Sequence, residues 1–308
     1  MDYIVFDLEW NQSAPGKYHA NKKLPFEIIE IGAVKLNSDM QEIGRFNEMV
    51  RPKVYKHLNK ITGSLVQLEM SQLRKARSFP EVMEAFLAFC GKDYLFCTWG
   101  NLDLIELQRN MKFYHMTPIS QEPIKFLDVQ KLFSLEFEGR RSQHALEYAV
   151  DYLKIEKSIP FHRAYDDAFY TARVLEKLNP RFRKRYSFDT YVVPKNKKEE
   201  IRIQFEDYYK YISREFDSKS KALSDKEVNY CGCYLCKRQV SRELDWFSVN
   251  GKHYYSVSRC KKHGFIKGKI RLRKTENGTC YVIKTMKQIT DQQVEEILEK
   301  QEKLKNPL

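Results

Sequence analysis

Long hydrophobic runs are missing from this chain of 308 residues. Its apolar segments are short, as at residues 3–6, and none approaches the roughly 20 apolar residues that a membrane-spanning helix needs. The opening MDYIVFDLEW also lacks the basic stretch and the small-residue cleavage site of a secretory signal. The sequence therefore predicts a protein that is neither exported nor embedded in a membrane.

Cysteine is sparse, and its count of seven is odd. A secreted disulfide framework uses an even number of cysteines, so we expect reduced thiols and a cytoplasmic location. The hydrophobic content of 42% is nevertheless enough to bury a substantial core. A chain of this length predicts one large domain or two smaller ones.

Acidic residues are in deficit in only one part of the chain. Residues 1–180 hold 24 Lys and Arg against 24 Asp and Glu, whereas residues 181–308 hold 30 against 17. The net charge of +13 therefore lies entirely in the second part. This asymmetry favours a polyanionic partner, nucleic acid first and an anionic surface second, over a basic face that serves only solubility.

Hydrophobic periodicity predicts an α/β fold. β-branched and aromatic residues mark strands over residues 3–10, 27–36, 43–50 and 94–98, and helical spacing marks residues 79–89, 102–111, 164–178 and 201–216. Strands followed by alternating helices and strands indicate an α/β layer sandwich. We expect a first domain over residues 1–180, a basic connector with a helix over 181–228, and a compact unit over 229–308 that ends in a charged helix.

Two carboxylates lie two positions apart in the first predicted strand, in the segment VFDLEW. Alternation along a strand puts Asp7 and Glu9 on one face and their apolar neighbours on the other. Adjacent carboxylates amid apolar residues repel each other and lose hydration, a cost that Mg²⁺ or Mn²⁺ relieves. A solvated strand end would explain the same pattern without a metal.

Two later segments add polar residues to this pattern. Asp103 follows TWG at the start of a predicted helix, where the helix dipole favours any acid. In the run HRAYDDA, His162 falls in a loop and Asp167 on the helix that follows. Alanine at positions 164, 168 and 172 forms a stripe of small residues that lets this helix pack close to the sheet. Such packing would bring Asp167 towards the strand carboxylates.

In order and spacing, these motifs resemble the DnaQ-like, or DEDDh, family of 3′→5′ exonucleases over roughly residues 1–180. The family's D-x-E motif matches Asp7 and Glu9, and its second acidic motif matches Asp103. Its H-x-A-x-x-D-A motif matches His162 and Asp167, with Asp166 as a neighbour and not the expected ligand. The segments FDLEW, FCTWGNLD and HRAYDDAFYTARVL look most like the subfamily of KapD-like bacterial proteins and of eukaryotic enzymes that trim histone mRNA and small RNA 3′ ends.

The resemblance implies an RNase H-like mixed sheet of five strands and a two-metal site. Two Mg²⁺ or Mn²⁺ ions would be held by Asp7, Glu9, Asp103 and Asp167, with His162 as the general base. It also implies substrate contacts from Leu8 and Trp10 and, in the segment LNKITG, from Ile61 and Thr62.

The activity implied by the resemblance is hydrolysis of single-stranded RNA from a free 3′-hydroxyl to nucleoside 5′-monophosphates. Because the metal chemistry of the family does not distinguish the sugars, a single-stranded DNA exonuclease is the nearest alternative. A nucleic-acid-binding regulator without catalysis is a second alternative, against which the retention of all five polar positions argues.

Four potential zinc ligands form two short pairs in the last third of the chain. Cys233 and Cys236 make the first pair, and Cys260 and His263 make the second after 23 intervening residues. Two such pairs suit one tetrahedral, structural Cys3His zinc site, in a module similar to a zinc ribbon. Cys231 is an alternative to Cys233 as the first ligand.

Basic and aromatic residues are interleaved around these two pairs. Because cations attract phosphates and aromatic faces stack on bases, we expect this unit to supply affinity for a nucleic acid. The aromatic residues would alternatively form the small core of a ribbon held by zinc, which is the interpretation that we favour for Trp246 and Tyr255.

Overall fold

The computed structural model describes residues 1–14, 19–66, 68–138, 143–204, 208–275 and 277–305. The chain divides into two compact units, Met1–Val192 and Val193–Leu308. The division lies later than the boundary expected after residue 180, because a short strand at Ser187–Phe188 pairs with the sheet of the first unit. We describe each unit by itself.

The described part of the first unit contains a mixed sheet. Its strands are β1 Asp2–Gln12, β2 Phe26–Leu36, β3 Glu42–Arg51, β4 Arg77–Ser78, β5 Tyr94–Thr98, β6 Lys125–Asp128 and β7 Ser187–Phe188. They lie in the order β4-β3-β2-β1-β5-β6-β7, with β1 antiparallel to β2 and parallel to β5. The predicted RNase H-like mixed sheet is confirmed: five longer strands form it, and a two-residue strand extends each edge.

Helices cover both faces of this sheet. They are α1 Lys60–Val66, α2 Met70–Lys75, α3 Phe79–Cys90, α4 Leu102–Phe113, α5 Val129–Phe137, α6 Leu146–Tyr152 and α7 Ala164–Lys177. Ile4 and Phe6 of β1 pack with buried residues of α3 and α4, whereas Val5 packs with buried residues of α5, α6 and α7. Since side chains alternate along a strand, Asp7 and Glu9 share the face of Val5, on which α7 lies.

Helix α7 lies unusually close to strand β2. The alanines at positions 164, 168 and 172 are fully buried, as the small-residue stripe predicts. A Cβ atom added to Gly32 would lie 2.0 Å from the backbone nitrogen of Tyr165, so the first turn of α7 can take this position only over a glycine. Gly32 is the partner of Asp7 in the β1–β2 register, and the close approach therefore places the start of α7 beside Asp7.

The described part of the second unit contains an antiparallel sheet. Its strands are β8 Ile201–Gln204, β9 Tyr208–Ile212, β10 Ser241–Ser248, β11 His253–Cys260, β12 Gly264–Lys274 and β13 Cys280–Ile289. They lie in the order β10-β11-β12-β13-β9-β8. The helices of this unit are α8 Lys219–Ser224, α9 Lys226–Asn229 and α10 Asp291–Lys305.

The helix predicted over residues 201–216 is wrong. These residues contribute β8 and β9 to the sheet, and β9 pairs with β13. Apolar and polar residues alternate in the segment IRIQ, and tyrosines at positions 209 and 211 pack into the core beside Val282. This pairing with a strand about 70 residues later outweighed the local helical spacing.

In the part of the chain that the structure describes, no helix has both the length and the apolar character that crossing a bilayer requires.

Candidate active site and cysteine cluster

Three predicted metal ligands meet at the end of strand β1 and the start of helix α7. Carboxylate oxygens of Asp7, Glu9 and Asp167 all lie within 4.8 Å of one another. The neighbouring Asp166 is not part of this group. The geometry arises because β1 holds the first two carboxylates two positions apart and α7 approaches the same face of the sheet.

Asp103 lies on the first turn of α4, next to these carboxylates although outside the group of three. Strand β5 runs parallel to β1, so the residues that follow it reach the same edge of the sheet as Asp7. The Asp103 side chain is buried, and the backbone N–H of Leu8 donates a hydrogen bond to its carboxylate. The charge of Asp103 acts on Asp7 more strongly than that of the other neighbouring carboxylates.

All four carboxyl groups hold their protons more tightly than free carboxyl groups do. Burial raises the pKa of Glu9 to about 8, of Asp103 to about 7 and of Asp167 to about 6. Burial, followed by repulsion from Asp103 and Asp167, raises the pKa of Asp7 well above its usual range. Like charges held together in a desolvated place form a site that a divalent cation would stabilise. The donor set therefore fits Mg²⁺ or Mn²⁺.

His162 is exposed at the edge of this cluster, on the loop before α7. Its backbone has a left-handed conformation with a φ of 71°. The backbone N–H of His162 donates a hydrogen bond of 3.3 Å to Oδ1 of Asp167. The imidazole is thus attached next to a carboxylate of the group, with its ring open to solvent.

The four predicted substrate contacts separate into two kinds. Ile61 is 63% exposed on α1, and the neighbouring Thr62 donates a hydrogen bond of 3.3 Å from Oγ1 to the carbonyl of Trp10. Trp10 is half-buried against Phe26. The side chain of Leu8 belongs instead to the core, with 3% exposure, because it points away from Asp7 and Glu9.

Three residues that support the site were not found by the sequence reasoning. Asn11 joins β1 to the segment before α1, since its amide donates to the carbonyl of His57 and accepts from the N–H of Asn59, both at 2.9 Å. Glu30, fully buried on β2, pairs with Arg163 next to His162. The signal for Glu30 was a charged residue in the otherwise apolar run IIEIGAV, which predicts a buried partner.

The second cluster lies at one end of strands β11 and β12. Sulfur atoms of Cys233, Cys236 and Cys260 and a ring nitrogen of His263 lie within 4.8 Å of one another. The Sγ atoms of Cys236 and Cys260 are 3.7 Å apart, too far for a disulfide and close to the ~3.8 Å that two sulfurs bound to one tetrahedral zinc would have. Cys231 is outside the group and lies 3.7 Å from Ser256 Oγ.

The backbone around each ligand pair supports this arrangement. The N–H of Lys237 donates to the carbonyl of Cys233 at 2.7 Å, and Lys237 itself has a φ of 60°. Gly264, directly after His263, has a φ of 70°. Although burial alone would raise it, hydrogen bonds from the N–H groups of Lys262 and His263 lower the pKa of Cys260 to about 6. A thiolate is the form of cysteine that binds metal, so the donor set fits Zn²⁺.

The remaining cysteines have other surroundings. Cys90 and Cys97 are buried in the cores of the first unit, and Cys280 is buried in the core of the second. All seven cysteines lie among the described residues as free thiols.

Comparison with known proteins gives matches to the first unit. Residues 4–175 match the model of the RNase_T exonuclease family. The "Probable 3′-5′ exonuclease KapD" of Bacillus subtilis is 30% identical over 179 residues, which cover 57% of this chain and 82% of that protein. The rat "3′-5′ exoribonuclease 1" is 23% identical over 163 residues, which cover 49% of this chain and only 46% of that protein.

A solved structure shares the fold of this part. The crystal structure of a full-length 3′-exonuclease has a TM-score of 0.50 and 20% identity, and the match covers 57% of this chain and 59% of that chain. At this identity the likeness concerns the fold alone.

Proposed function

The chain belongs to the RNase_T exonuclease family, and we propose that it removes nucleotides one at a time from the 3′ end of single-stranded RNA. The observation that carries this proposal is the group formed by Asp7, Glu9 and Asp167, with His162 at its edge. The relatives are named for 3′-5′ exonuclease activity and, in the rat protein, for exoribonuclease activity, which supports the proposed direction of digestion and RNA as the substrate. The products would be nucleoside 5′-monophosphates.

We assign two Mg²⁺ or Mn²⁺ ions to Asp7, Glu9, Asp103 and Asp167. When bound, such ions activate the attacking water and stabilise the charge on the leaving 3′-oxygen. The carboxylates have to give up their protons for this role, and the α7 dipole supports the negative charge of Asp167 in the first turn.

His162 is assigned as the general base. Its exposed ring accepts a proton from the attacking water while the new O–P bond forms and the bond to the 3′-oxygen breaks. The hydrogen bond between its backbone and Asp167 keeps the ring beside the carboxylate group without burying it.

The terminal nucleotide is assigned to the surface beside α1. Ile61 presents an exposed apolar side chain that can contact a base, and the half-buried Trp10 presents part of its ring at the end of β1. The bond between Thr62 and the Trp10 carbonyl holds the two elements together.

We assign one structural Zn²⁺ to Cys233, Cys236, Cys260 and His263. Such a site in a small unit stabilises the fold, and it requires no catalytic role. A cytoplasmic location, in which thiols remain reduced, is supported by the seven cysteines, none of which forms a disulfide among the described residues.

The test uses two 5′-labelled oligonucleotides of one sequence, RNA and DNA, incubated with the full chain and Mg²⁺ or Mn²⁺. We expect a ladder that shortens from the 3′ end, release of 5′-monophosphates and faster digestion of RNA. A chimera of DNA with one 3′-terminal ribonucleotide isolates the contribution of a single 2′-hydroxyl. Faster digestion of DNA would favour the single-stranded DNA exonuclease, and no digestion of either would contradict the enzyme proposal.

A further inference from the structure

Strand β12 in the second unit separates apolar and cationic side chains. Ile266, Ile270 and Leu272 face the core and are buried. The alternate positions carry four cations that share the other face of the sheet, which we call the β12 cation row: Lys267, Lys269, Arg271 and Arg273. Positions two apart on a strand repeat every ~6.8 Å, so the row is a line of regularly spaced positive charges.

The neighbouring strands do not supply acids opposite the row. On β11 the partners of Arg271, Lys269 and Lys267 are a histidine, a tyrosine and a valine, respectively. On β13 the partner of Arg273 is a tyrosine, that of Arg271 is an isoleucine and that of Lys269 is a threonine. The partner of Lys267 on β13 is Lys287. Lys267 and Lys287 thus lie directly opposite each other, an arrangement of like charges that destabilises a sheet.

The pKa values of two titratable groups on this face are lowered by burial and by neighbouring cations. The pKa of His253 is lowered by burial and then by Lys269, Arg271 and Arg273. The pKa of Lys267 is lowered by burial and then by Lys300 of α10 and Lys269, with Glu296 of α10 acting in the opposite direction.

Acids elsewhere in the second unit are paired with other cations. Arg214 binds Glu200 and Asp225, and Lys221 binds Asp217. In the part of the chain that the structure describes, the row makes no ion pair; Lys267 and Lys269 lie 5.2 and 5.7 Å from the Tyr255 ring. Arg271 and Arg273 are exposed. Apart from the influence of Glu296 on Lys267, the acids of the unit therefore leave this line of cations for another partner.

We propose that the β12 cation row binds the sugar-phosphate backbone of single-stranded nucleic acid. The inference rests on the proposed function, since the substrate of the first unit is the polyanion that it concerns. A flexible single strand carries one phosphate per nucleotide and can follow a straight line of cations. The row adds affinity away from the reacting bond, so its loss raises the apparent KM.

The test compares three variants of the full chain. The first variant, Arg271→Gln/Arg273→Gln, removes two charges from the row. The second, Arg271→Lys/Arg273→Lys, keeps these charges. The third, Lys197→Gln/Lys198→Gln, is a control that removes two charges from exposed lysines elsewhere in the same unit. The affinity for a 5′-labelled single-stranded RNA is measured in EDTA at several salt concentrations, so that no hydrolysis takes place.

The glutamine variant of the row should weaken binding on the order of tenfold at low salt. A plot of log affinity against log salt concentration has a negative slope, and for this variant the slope should become shallower by about 1.4. This is ~0.7 for each phosphate that the variant no longer neutralises. The lysine variant should keep the slope of the wild type, and so should the Lys197/Lys198 control. Equal slopes for the two glutamine variants would overturn the proposal.

Two further outcomes separate this proposal from the function on which it rests. If the wild type digests RNA and binds it independently of the row, the row proposal fails and the exonuclease proposal stands. If the row instead controls binding to phosphatidylserine vesicles and not to RNA, the partner is a membrane surface and the row proposal is overturned. Wild type that neither binds nor digests nucleic acid contradicts both.

Discussion

Arg163 and Glu30 form an ion pair through two parallel hydrogen bonds, beside the candidate active site. Nε of Arg163 donates to Oε2 of Glu30 at 3.0 Å, and Nη2 donates to Oε1. The N–H of Ala164 donates to the same carboxylate at 3.2 Å. Glu30 is fully buried on β2, opposite Glu9, so the pair joins the start of α7 to the sheet directly after His162.

This pair is expected to position His162 and not to take part in chemistry. Arg163→Gln should lower kcat on the order of 10- to 100-fold with little change in KM, because the imidazole loses its fixed place. Arg163→Lys should restore part of the rate, since it keeps the charge without the two-pronged geometry. Steady-state kinetics on RNA measures both effects.

The control for this prediction is Arg173→Gln on the same helix. Arg173 pairs with Glu42, away from the carboxylate group, so its loss should leave kcat unchanged. A loss of rate in both variants would indicate damage to α7 as a whole and would contradict the positioning role.

The two adjacent aspartates of α7 should differ in effect. Asp167→Asn removes a member of the carboxylate group and should abolish hydrolysis, with the number of bound Mn²⁺ ions reduced in titration calorimetry. Asp166→Asn changes the charge by the same amount outside the group and should retain most of the activity. Activity lost in Asp166→Asn and kept in Asp167→Asn would show that the motif is shifted by one residue.

His162→Gln should separate metal binding from proton transfer. We expect Mn²⁺ binding to stay within about twofold of the wild type, since the imidazole is not among the grouped ligands. The rate at saturating RNA should fall by ~10²- to 10⁴-fold, which is typical for loss of a general base. A matching loss of Mn²⁺ affinity would assign a ligand role to the histidine.

The cysteine cluster predicts about one zinc per chain in freshly purified protein. Cys236→Ser should release the zinc and destabilise the second unit, because metal binding supplies part of its folding free energy. Cys231→Ser is the matched control, since this cysteine lies outside the four ligands. Elemental analysis and hydrogen exchange measure the two effects, and zinc loss in both variants would reassign the first ligand from Cys233 to Cys231.

Lys284 predicts a pH-dependent stability of the second unit. It is 1% exposed, its Nζ donates to the carbonyl of Tyr230 at 3.0 Å, and burial lowers its pKa to about 8. In the unfolded chain the same lysine has a pKa of about 10.4. Between these two values the unfolded chain binds more protons than the folded chain, so the unfolding free energy rises with pH. Relative to Lys284→Met, the unfolding free energy of the wild type should rise by about 2 kcal/mol from pH 7 to 9.5. A difference independent of pH would contradict the lowered pKa.

The elements of the first unit could be predicted from sequence because local pattern and long-range packing agree there. The strand predicted over residues 94–98 is observed as Tyr94–Thr98, and the alanine spacing correctly indicated that α7 packs close to the sheet. The pairing of Arg163 with Glu30 could not be predicted, because it joins positions 133 apart through a strand register that no local pattern encodes. In the second unit β9 has the same difficulty, since its strand state depends on β13.

The contact of α7 with Gly32 has a consequence for the order of events during synthesis. Asp7 and Glu9 are translated at the very beginning of the first unit, and Asp167 comes about 160 residues later. Until α7 has been synthesised, the nascent chain lacks Asp167 and therefore holds only part of the carboxylate set. The helix that packs against Gly32 is also still missing. If the chain digests RNA as proposed, it is made without a complete hydrolytic centre for as long as α7 has not been synthesised, while the rest of its first unit is still beside its own messenger.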